Sequence, residues 1–434
     1  MGTFEKSVQS EEAVVAAQWA EWRSSRRRLL KMGAFAGGLA AAGVLGSAGP
    51  FARGAAARGT PKAGGVVTMS LADADVASFD PIAIFDNMSI WTQLLIYDQL
   101  LRPAADGASV EPSLAEKWEK SDDGLTYTFH LRDATFHDGS TVTAEDAAFS
   151  IDRAAHDPTS QNGFIFSAID SLTATDPKTL TIKLKNPWAP LEADLALYGA
   201  SILPKKLVTA QGADFFNKPV GSGAFVFASW ERDVQIKLTR YAAYWETGKP
   251  YLDAVTLKVL TDSNARMLEF QGGDLDIASL VPYSQLEGLR GNAAVTVVPD
   301  AVARIDYCAM NLLRKPFDDK LLRQAVNYAV DKDAIIKNVL FGNGVAANTY
   351  LPRMAYHDDA APGYPFNLQK AKDLVAQSSA KDGFKAELLI NAGDAVAAQV
   401  AQLISADLIA IGGKITIASL DPATVNDRYT KALD

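Results

Sequence analysis

The sequence predicts an α/β protein, and three observations carry that prediction. Short segments with strict apolar/polar alternation recur along the chain, at residues 127–132, 180–185 and 234–239. Other segments carry the three-and-four spacing of amphipathic helices, through Leu321, Leu322, Ala325, Val326 and Ala329, and again through Val396, Val400, Leu403, Ile404, Leu408 and Ile411. No internal repeat, low-complexity tract or long linker separates the two kinds of segment, so strands and helices belong to shared layers.

The elements follow in order. Residues 1–57 differ from the rest. Arg26-Arg27-Arg28-Leu29-Leu30-Lys31 is a basic run, 32–49 is uncharged and rich in Ala, Gly and Leu, and Ala55-Ala56-Ala57 offers small residues for cleavage. Basic, apolar and small-residue regions in that order predict a signal peptide. Arg26-Arg27 with Lys31 resembles the twin-arginine export pattern, although Leu29 stands where that pattern prefers Phe. Five glycines at 33, 37, 38, 43 and 46 weaken the competing reading of a membrane span. No cysteine lies near the cleavage site, which argues against a lipid anchor.

After Gly64-Gly65, the apolar run 66–71 predicts a buried strand. Ile90, Leu94, Leu95 and Leu101 have helical spacing, with Trp91 beside them. Thr143-Ala144-Glu145-Asp146 has the form of a capping box opening a helix. Asp318 precedes the helix beginning near Leu321, and Ile305–Met310 (305–310) reads as an apolar strand that buries Cys308. Gly412-Gly413 ends the helix through Ile411, which reads as the last helix, and Ile415 and Ile417 begin another strand.

Composition narrows the functions. The chain has 434 residues, 48% apolar and 21% charged, enough for two or three domains with sizeable cores. A net charge of −9 argues against a general nucleic-acid partner. Cys308 is the one cysteine, so intrachain disulfides and cysteine metal clusters are excluded. His130, His137, His156 and His357 are the four histidines, and their spacing fits no metal pair on one helix. His130 and His137 read as a wet strand face and a turn. Gly221-Ser222-Gly223 lacks the spacing of a nucleophile elbow and reads as a glycine turn. The pairs Asp122-Asp123, Asp318-Asp319 and Asp358-Asp359 sit in turn or cap contexts. No phosphate-binding glycine loop is present. We therefore expect no catalytic residue, metal or cofactor, and no enzyme. Trp188, Tyr198, Trp230, Tyr283 and Tyr350 lie near loops and strand ends, where a binding cleft would use some of them.

A family resemblance rests on long stretches. Pro112-Ser113-Leu114-Ala115-Glu116-Lys117-Trp118 runs into Ser121-Asp122-Asp123-Gly124-Leu125-Thr126-Tyr127-Thr128-Phe129, then Leu131-Arg132-Asp133-Ala134-Thr135-Phe136-His137-Asp138-Gly139. Ser78-Phe79-Asp80-Pro81, Tyr97-Asp98-Gln99-Leu100-Leu101, Pro219-Val220-Gly221-Ser222-Gly223-Ala224-Phe225 and Arg323-Gln324-Ala325-Val326-Asn327-Tyr328-Ala329 accompany it. Together these resemble the family 5 extracellular solute-binding proteins, the peptide/nickel group serving ABC importers.

The resemblance implies a two-lobe periplasmic-binding-protein (Venus-flytrap) fold with ligand between the lobes. It implies lobe one at 58–298, with an inserted subdomain at about 108–220, and lobe two from 299 to 434. It implies a periplasmic receptor for peptides or a similar small solute. The receptor would close about a hinge and pass ligand to a permease and an ATPase on other chains. A sensor or chaperone module of the same fold is the alternative; a periplasmic hydrolase would need a nucleophile–base or carboxylate pair that the sequence does not present. Against the family pattern, the chain stops at Asp434 soon after the 414–420 strand, which reads as an unfinished lobe two. Asn391-Ala392-Gly393-Asp394 holds no arginine where dipeptide binders carry one. Ligand-contact candidates are Phe85, Asp86 and Asn87 after the Asp80-Pro81 turn, Tyr283, Arg304 and Asn391. Arg304 reads equally as a rim ion pair and Asp80 as a turn former.

Overall fold

The structure, a computed structural model, describes residues 61–105, 109–298, 304–351, 358 and 360–429. The expected signal peptide at 1–57, His357 and the expected start of lobe two at 299 lie outside the described residues.

In chain order the first elements are β1 (Val66–Leu71), α1 (Asn87–Ile96), β2 (Leu101–Pro103), β3 (Val110–Pro112), β4 (Ala115–Lys120), β5 (Thr126–Leu131), α2 (Ala144–His156), β6 (Ile169–Asp176) and β7 (Thr179–Leu184). Then come α3 (Leu191–Asp194), α4 (Lys205–Gln211), β8 (Phe225–Glu231), β9 (Gln235–Arg240), β10 (Ala254–Val259), α5 (Ser263–Gly272) and α6 (Leu286–Arg290). The remainder is α7 (Lys320–Ala329), α8 (Lys332–Asn338), α9 (Leu368–Gln377), β11 (Phe384–Asn391), α10 (Ala395–Ile409), β12 (Gly413–Leu420) and α11 (Pro422–Asp427).

These elements form an α/β fold around three hydrophobic clusters. The sheet β1-β10-β9-β8 carries one, with β1 and β10 parallel and the other pairs antiparallel. The antiparallel sheet β4-β5-β7-β6 carries the second. Its alternation buries Tyr127 and Phe129 opposite Ile182 and Leu180, while the polar residues between them face outward. The parallel pair β11-β12 packs with α7, α9 and α10 around the third cluster, which includes Leu322, Ala325, Val375, Phe384 and Leu408.

The expected capping box forms. Thr143 Oγ1 accepts from Asp146 N–H at 3.3 Å, and Asp146 Oδ2 accepts from Thr143 N–H at 3.0 Å. Thr143→Ala should lower stability by about 1 kcal/mol, read as a shift of the urea midpoint at unchanged slope. Arg153 on α2 grips Asp80 with both terminal nitrogens, at 3.2 and 2.8 Å, and Asp80 Oδ1 also accepts from Ile82 N–H. Asp80 is thus the expected turn former and an ion-pair partner as well.

Three expectations change. The 90–101 helix ends at Ile96, because Tyr97 turns extended and donates its hydroxyl to Phe79 O at 3.0 Å. Its buried face is Met88, Ser89, Thr92, Gln93 and Ile96, whereas Trp91 and Leu94 are exposed. Hydrogen bonds permit that burial: Gln93 Nε2 donates to Ser78 O, and Thr92 Oγ1 to Met88 O. The 305–310 run forms no strand, and Cys308 is exposed rather than buried, since no strand lies alongside the run among the described residues. Asp318 does precede α7, and Asp319 beside it is the N-cap, the expected cap context. Finally, α11 follows β12, so the helix through Ile411 is not the last.

His137 also departs from a wet turn. It is part-buried, with Nε2 donating to Gly223 O at 2.9 Å and Nδ1 accepting from Gly221 N–H at 3.2 Å. Burial lowers its pKa, against the opposing pull of the Gly223 bond and of Asp138. His130 sits on the wet strand face as expected, 3.2 Å from Glu119 on β4.

Candidate functional site

In open α/β sheets, ligands bind outside the carboxyl ends of parallel strands. Among the described residues there are two such parallel pairs. β1 and β10 run in register from Val66↔Ala254 to Leu71↔Val259, and residues 276–279 extend the parallel set beyond β1 through the Met69↔Ile277 bridge. β11 and β12 run in register from Phe384↔Gly413 to Asn391↔Leu420.

At the carboxyl end of the first pair, Arg266 of α5 is almost fully buried and holds backbone instead of a carboxylate. Its terminal nitrogens donate to Leu260 O and, at 3.0 Å, to Leu280 O. Burial lowers its pKa, and Asp73 and Asp262 oppose that shift. Leu280 takes a left-handed φ of 47°, an uncommon conformation for a residue with a branched side chain. The chain thereby turns toward Tyr283, which is half-buried in a short 3-10 turn.

At the carboxyl end of the second pair, Asn391 closes β11, and its carbonyl accepts from Asp394 N–H at 3.3 Å. Asp394 caps α10 by accepting from Ala397 N–H at 2.8 Å. Arg304 pairs with Asp306 at 2.8 Å, and both side chains are exposed. The Asp306 bond is the main cause raising the pKa of Arg304, and the charges of Tyr283 and Asp394 add to it.

Phe85, Asp86 and Asn87 form a second group. Asp86 caps α1, its Oδ1 accepting from Ser89 N–H at 2.7 Å, and Asn87 is the first, exposed residue of that helix. Phe85 is 53% exposed and stacks on Phe164, itself 69% exposed, with centroids 6.4 Å apart and planes at 18°. Tyr198 adjoins them; its pKa is raised, chiefly by burial and also by the Asp86 charge. Phe164 was missed by sequence reasoning. Its signal was an aromatic directly after Asn162-Gly163, a turn dipeptide within a polar loop.

An open groove of about 760 Å³ along β11 and β12, lined by Lys385, Glu387, Ile409, Lys414 and Ile415 among others, touches none of these residues. Among the described residues there is no group of three or more His, Cys, Asp or Glu placed to hold a metal ion. No helix among them is long and apolar enough to cross a membrane.

The sequence pattern defining the bacterial extracellular solute-binding proteins, family 5 (middle), matches residues 109–433. The chain belongs to that family. It is 31% identical over 310 residues to the glutathione-binding protein GsiB of Pectobacterium atrosepticum, covering 71% of this chain and 60% of that one. The Salmonella typhimurium GsiB is 30% identical over 314 residues, covering 72% and 61%. The chain thus spans about 60% of the length of these curated relatives.

Solved structures agree on the fold. The Helicobacter pylori periplasmic binding protein DppA, in complex with the peptide STSA, superposes with a TM-score of 0.77 at 28% identity, covering 85% of this chain and 76% of that one. The Bacillus subtilis oligopeptide-binding protein AppA, in complex with a nonapeptide, gives 0.75 at 26% identity, covering 85% and 77%. AgaA from A. tumefacien R10, in complex with agropinic acid, gives 0.73 at 28%, covering 84% and 74%. The family 5 chain described here therefore has the periplasmic-binding-protein fold, and its relatives are substrate-binding proteins.

Proposed function

We propose that this family 5 chain is the solute-capturing component of an ABC importer, binding a peptide or a similar small solute. The lobes are 58–298, with the inserted subdomain at about 108–220, and 299–434. The observation that carries the reading is the family 5 match over residues 109–433, beside relatives that are substrate-binding proteins. Solute that touches both lobes favours the closed arrangement by its differential contacts, and hinge closure follows as a population shift. Phe85 and Phe164 supply exposed aromatic area for an apolar part of the solute. The closed form then docks on permease and ATPase subunits encoded elsewhere. Residues 1–57 direct export through the twin-arginine machinery and are removed, placing the receptor in the periplasm without a lipid anchor.

Solute names follow from the relatives: glutathione, the tetrapeptide Ser-Thr-Ser-Ala and agropinic acid are the first three to test. Mass spectrometry of solute carried through purification, followed by thermal shift with these compounds, tests the reading. Binding to the native state alone should raise the melting temperature as concentration rises. Tyr283→Ala should weaken the successful compound by about tenfold, roughly 1.4 kcal/mol, without moving the unliganded melt. Absence of any shift across peptides, opines, sugars and metal chelates would sink the proposal.

A further inference from the structure

The loop between β1 and α1 is held by its carbonyls. Seven consecutive ones, from residue 78 to residue 84, each have a donor within 3.2 Å. Gln93 Nε2 donates to Ser78 O, the Tyr97 hydroxyl to Phe79 O, and Ala83 N–H to Asp80 O. The remaining four donors come from far along the chain. Asn162 Nδ2 lies 3.0 Å from Pro81 O, Gln161 N–H 2.8 Å from Ile82 O, and Gln161 Nε2 3.0 Å from Ala83 O. The Tyr198 hydroxyl lies 3.2 Å from Ile84 O and 3.0 Å from Asn162 Oδ1, with one proton serving both.

An ordinary surface loop gives such carbonyls to water and keeps its backbone freedom. Here Asn162 is fully buried and spends both ends of its amide on this contact. Gln161 spends both its backbone and its side-chain donor on it. The next residue is Phe85, whose partner Phe164 follows Asn162 by two positions. The same dipeptide that fixes one ring's loop therefore carries the other ring.

We infer that Gln161 and Asn162 are positioning residues, which lock the 78–84 loop so that Phe85 and Phe164 form a fixed aromatic platform for an apolar or planar group of the solute. The inference rests on the proposed solute-binding role for its ligand and on the hydrogen bonds alone for the lock. With its carbonyls already taken, this wall offers ring faces in place of free backbone acceptors. A platform that is ordered beforehand spares the solute the cost of ordering it.

The test uses the full chain. Gln161 is exposed, so Gln161→Ala preserves the fold even if the buried Asn162→Ala does not. Hydrogen exchange at the amides of Ala83, Ser89 and Ile90 should speed up at least tenfold in Gln161→Ala, with β11 and β12 unchanged. Unchanged loop exchange would overturn the lock. Calorimetry with the tripeptides Ala-Phe-Ala and Ala-Ala-Ala tests the platform. Gln161→Ala should weaken Ala-Phe-Ala about tenfold, but less than twofold where Phe85→Ala is already present, because the residue acts through that ring. Equal losses in both backgrounds would mean a general structural role and overturn the positioning role. Failure of the unmodified chain to bind either tripeptide, with loop exchange altered as expected, rejects the platform's solute while upholding the lock.

Discussion

Gly221→Ala should cost about 3 kcal/mol or more and leave little folded protein, beyond the usual range for overpacking because the obstacle is backbone. A methyl carbon there would stand 2.0 Å from Ile96 O and 2.7 Å from Tyr97 Cδ1. Neither can withdraw cheaply. Ile96 O accepts from Gly223 N–H at 2.8 Å, and Tyr97 is fully buried with its hydroxyl on Phe79 O. On the far side, Gly221 O accepts from His137 N–H at 2.8 Å while the His137 ring spans Gly221 N–H and Gly223 O. The turn is thus clamped from both sides, and the glycine is required for space. Gly288 in α6 is the control, since a methyl carbon there meets nothing within 4 Å. Gly288→Ala should be neutral or stabilising by up to about 1 kcal/mol. Urea melts of both variants check the pair, and a Gly221→Ala protein within about 1 kcal/mol of the unmodified chain contradicts the packing argument.

Features set by near neighbours were legible in the sequence. The alternation through Tyr127, Phe129 and Leu131 needs only a pleat with one dry face, and Thr143 and Asp146 meet within one helical turn. Gly412, at φ 98°, marks the end of α10 because side chains rarely adopt that conformation. Features set by distant partners were not. Nothing near Gln93 announces that Ser78 O will receive its amide, so the burial of this polar residue on α1 was not legible. His137 looked like a turn residue because Gly221 lies 84 positions away. Phe85 was named from family likeness, but its ring partner Phe164 required the fold. Cys308 was misread for the same reason: an apolar run says that a strand could form and not whether another lies beside it.

Asp98→Asn should remove a pH dependence of stability amounting to about 3 kcal/mol. Asp98 is buried, accepting from Trp245 Nε1 at 2.9 Å and from the Tyr244 hydroxyl at 3.1 Å. Burial pushes its pKa from the ordinary 3.8 up to about 6, against those two bonds and the weaker pull of Arg102. Arg102 is already engaged by Glu111 at 2.7 Å and Glu246 at 3.0 Å, so it neutralises Asp98 poorly. A carboxyl whose folded pKa is raised holds its proton longer in the native state than in the unfolded chain. Its contribution is therefore fully present below pH 3.8 and is lost as pH rises through about 6. The difference between 3.8 and about 6 corresponds to roughly 3 kcal/mol. His137 works the other way, since its lowered pKa gives stability above about pH 6.5 that is lost as pH falls. The two titrations partly cancel in the unmodified chain, so the difference between it and Asp98→Asn is the quantity to measure. The asparagine cannot ionise, still accepts from Trp245 through Oδ1, and can donate to the Tyr244 oxygen. Relative to the unmodified chain, it should gain stability steadily between pH 4 and pH 7 in urea melts. Asp98→Ala leaves the Trp245 N–H and the Tyr244 hydroxyl without this acceptor, so it should lose stability at every pH, by about 1–3 kcal/mol for each stranded group. Parallel pH curves for the unmodified chain and Asp98→Asn would show that the carboxylate is solvated after all, and that Trp245 and Tyr244 do not enclose it.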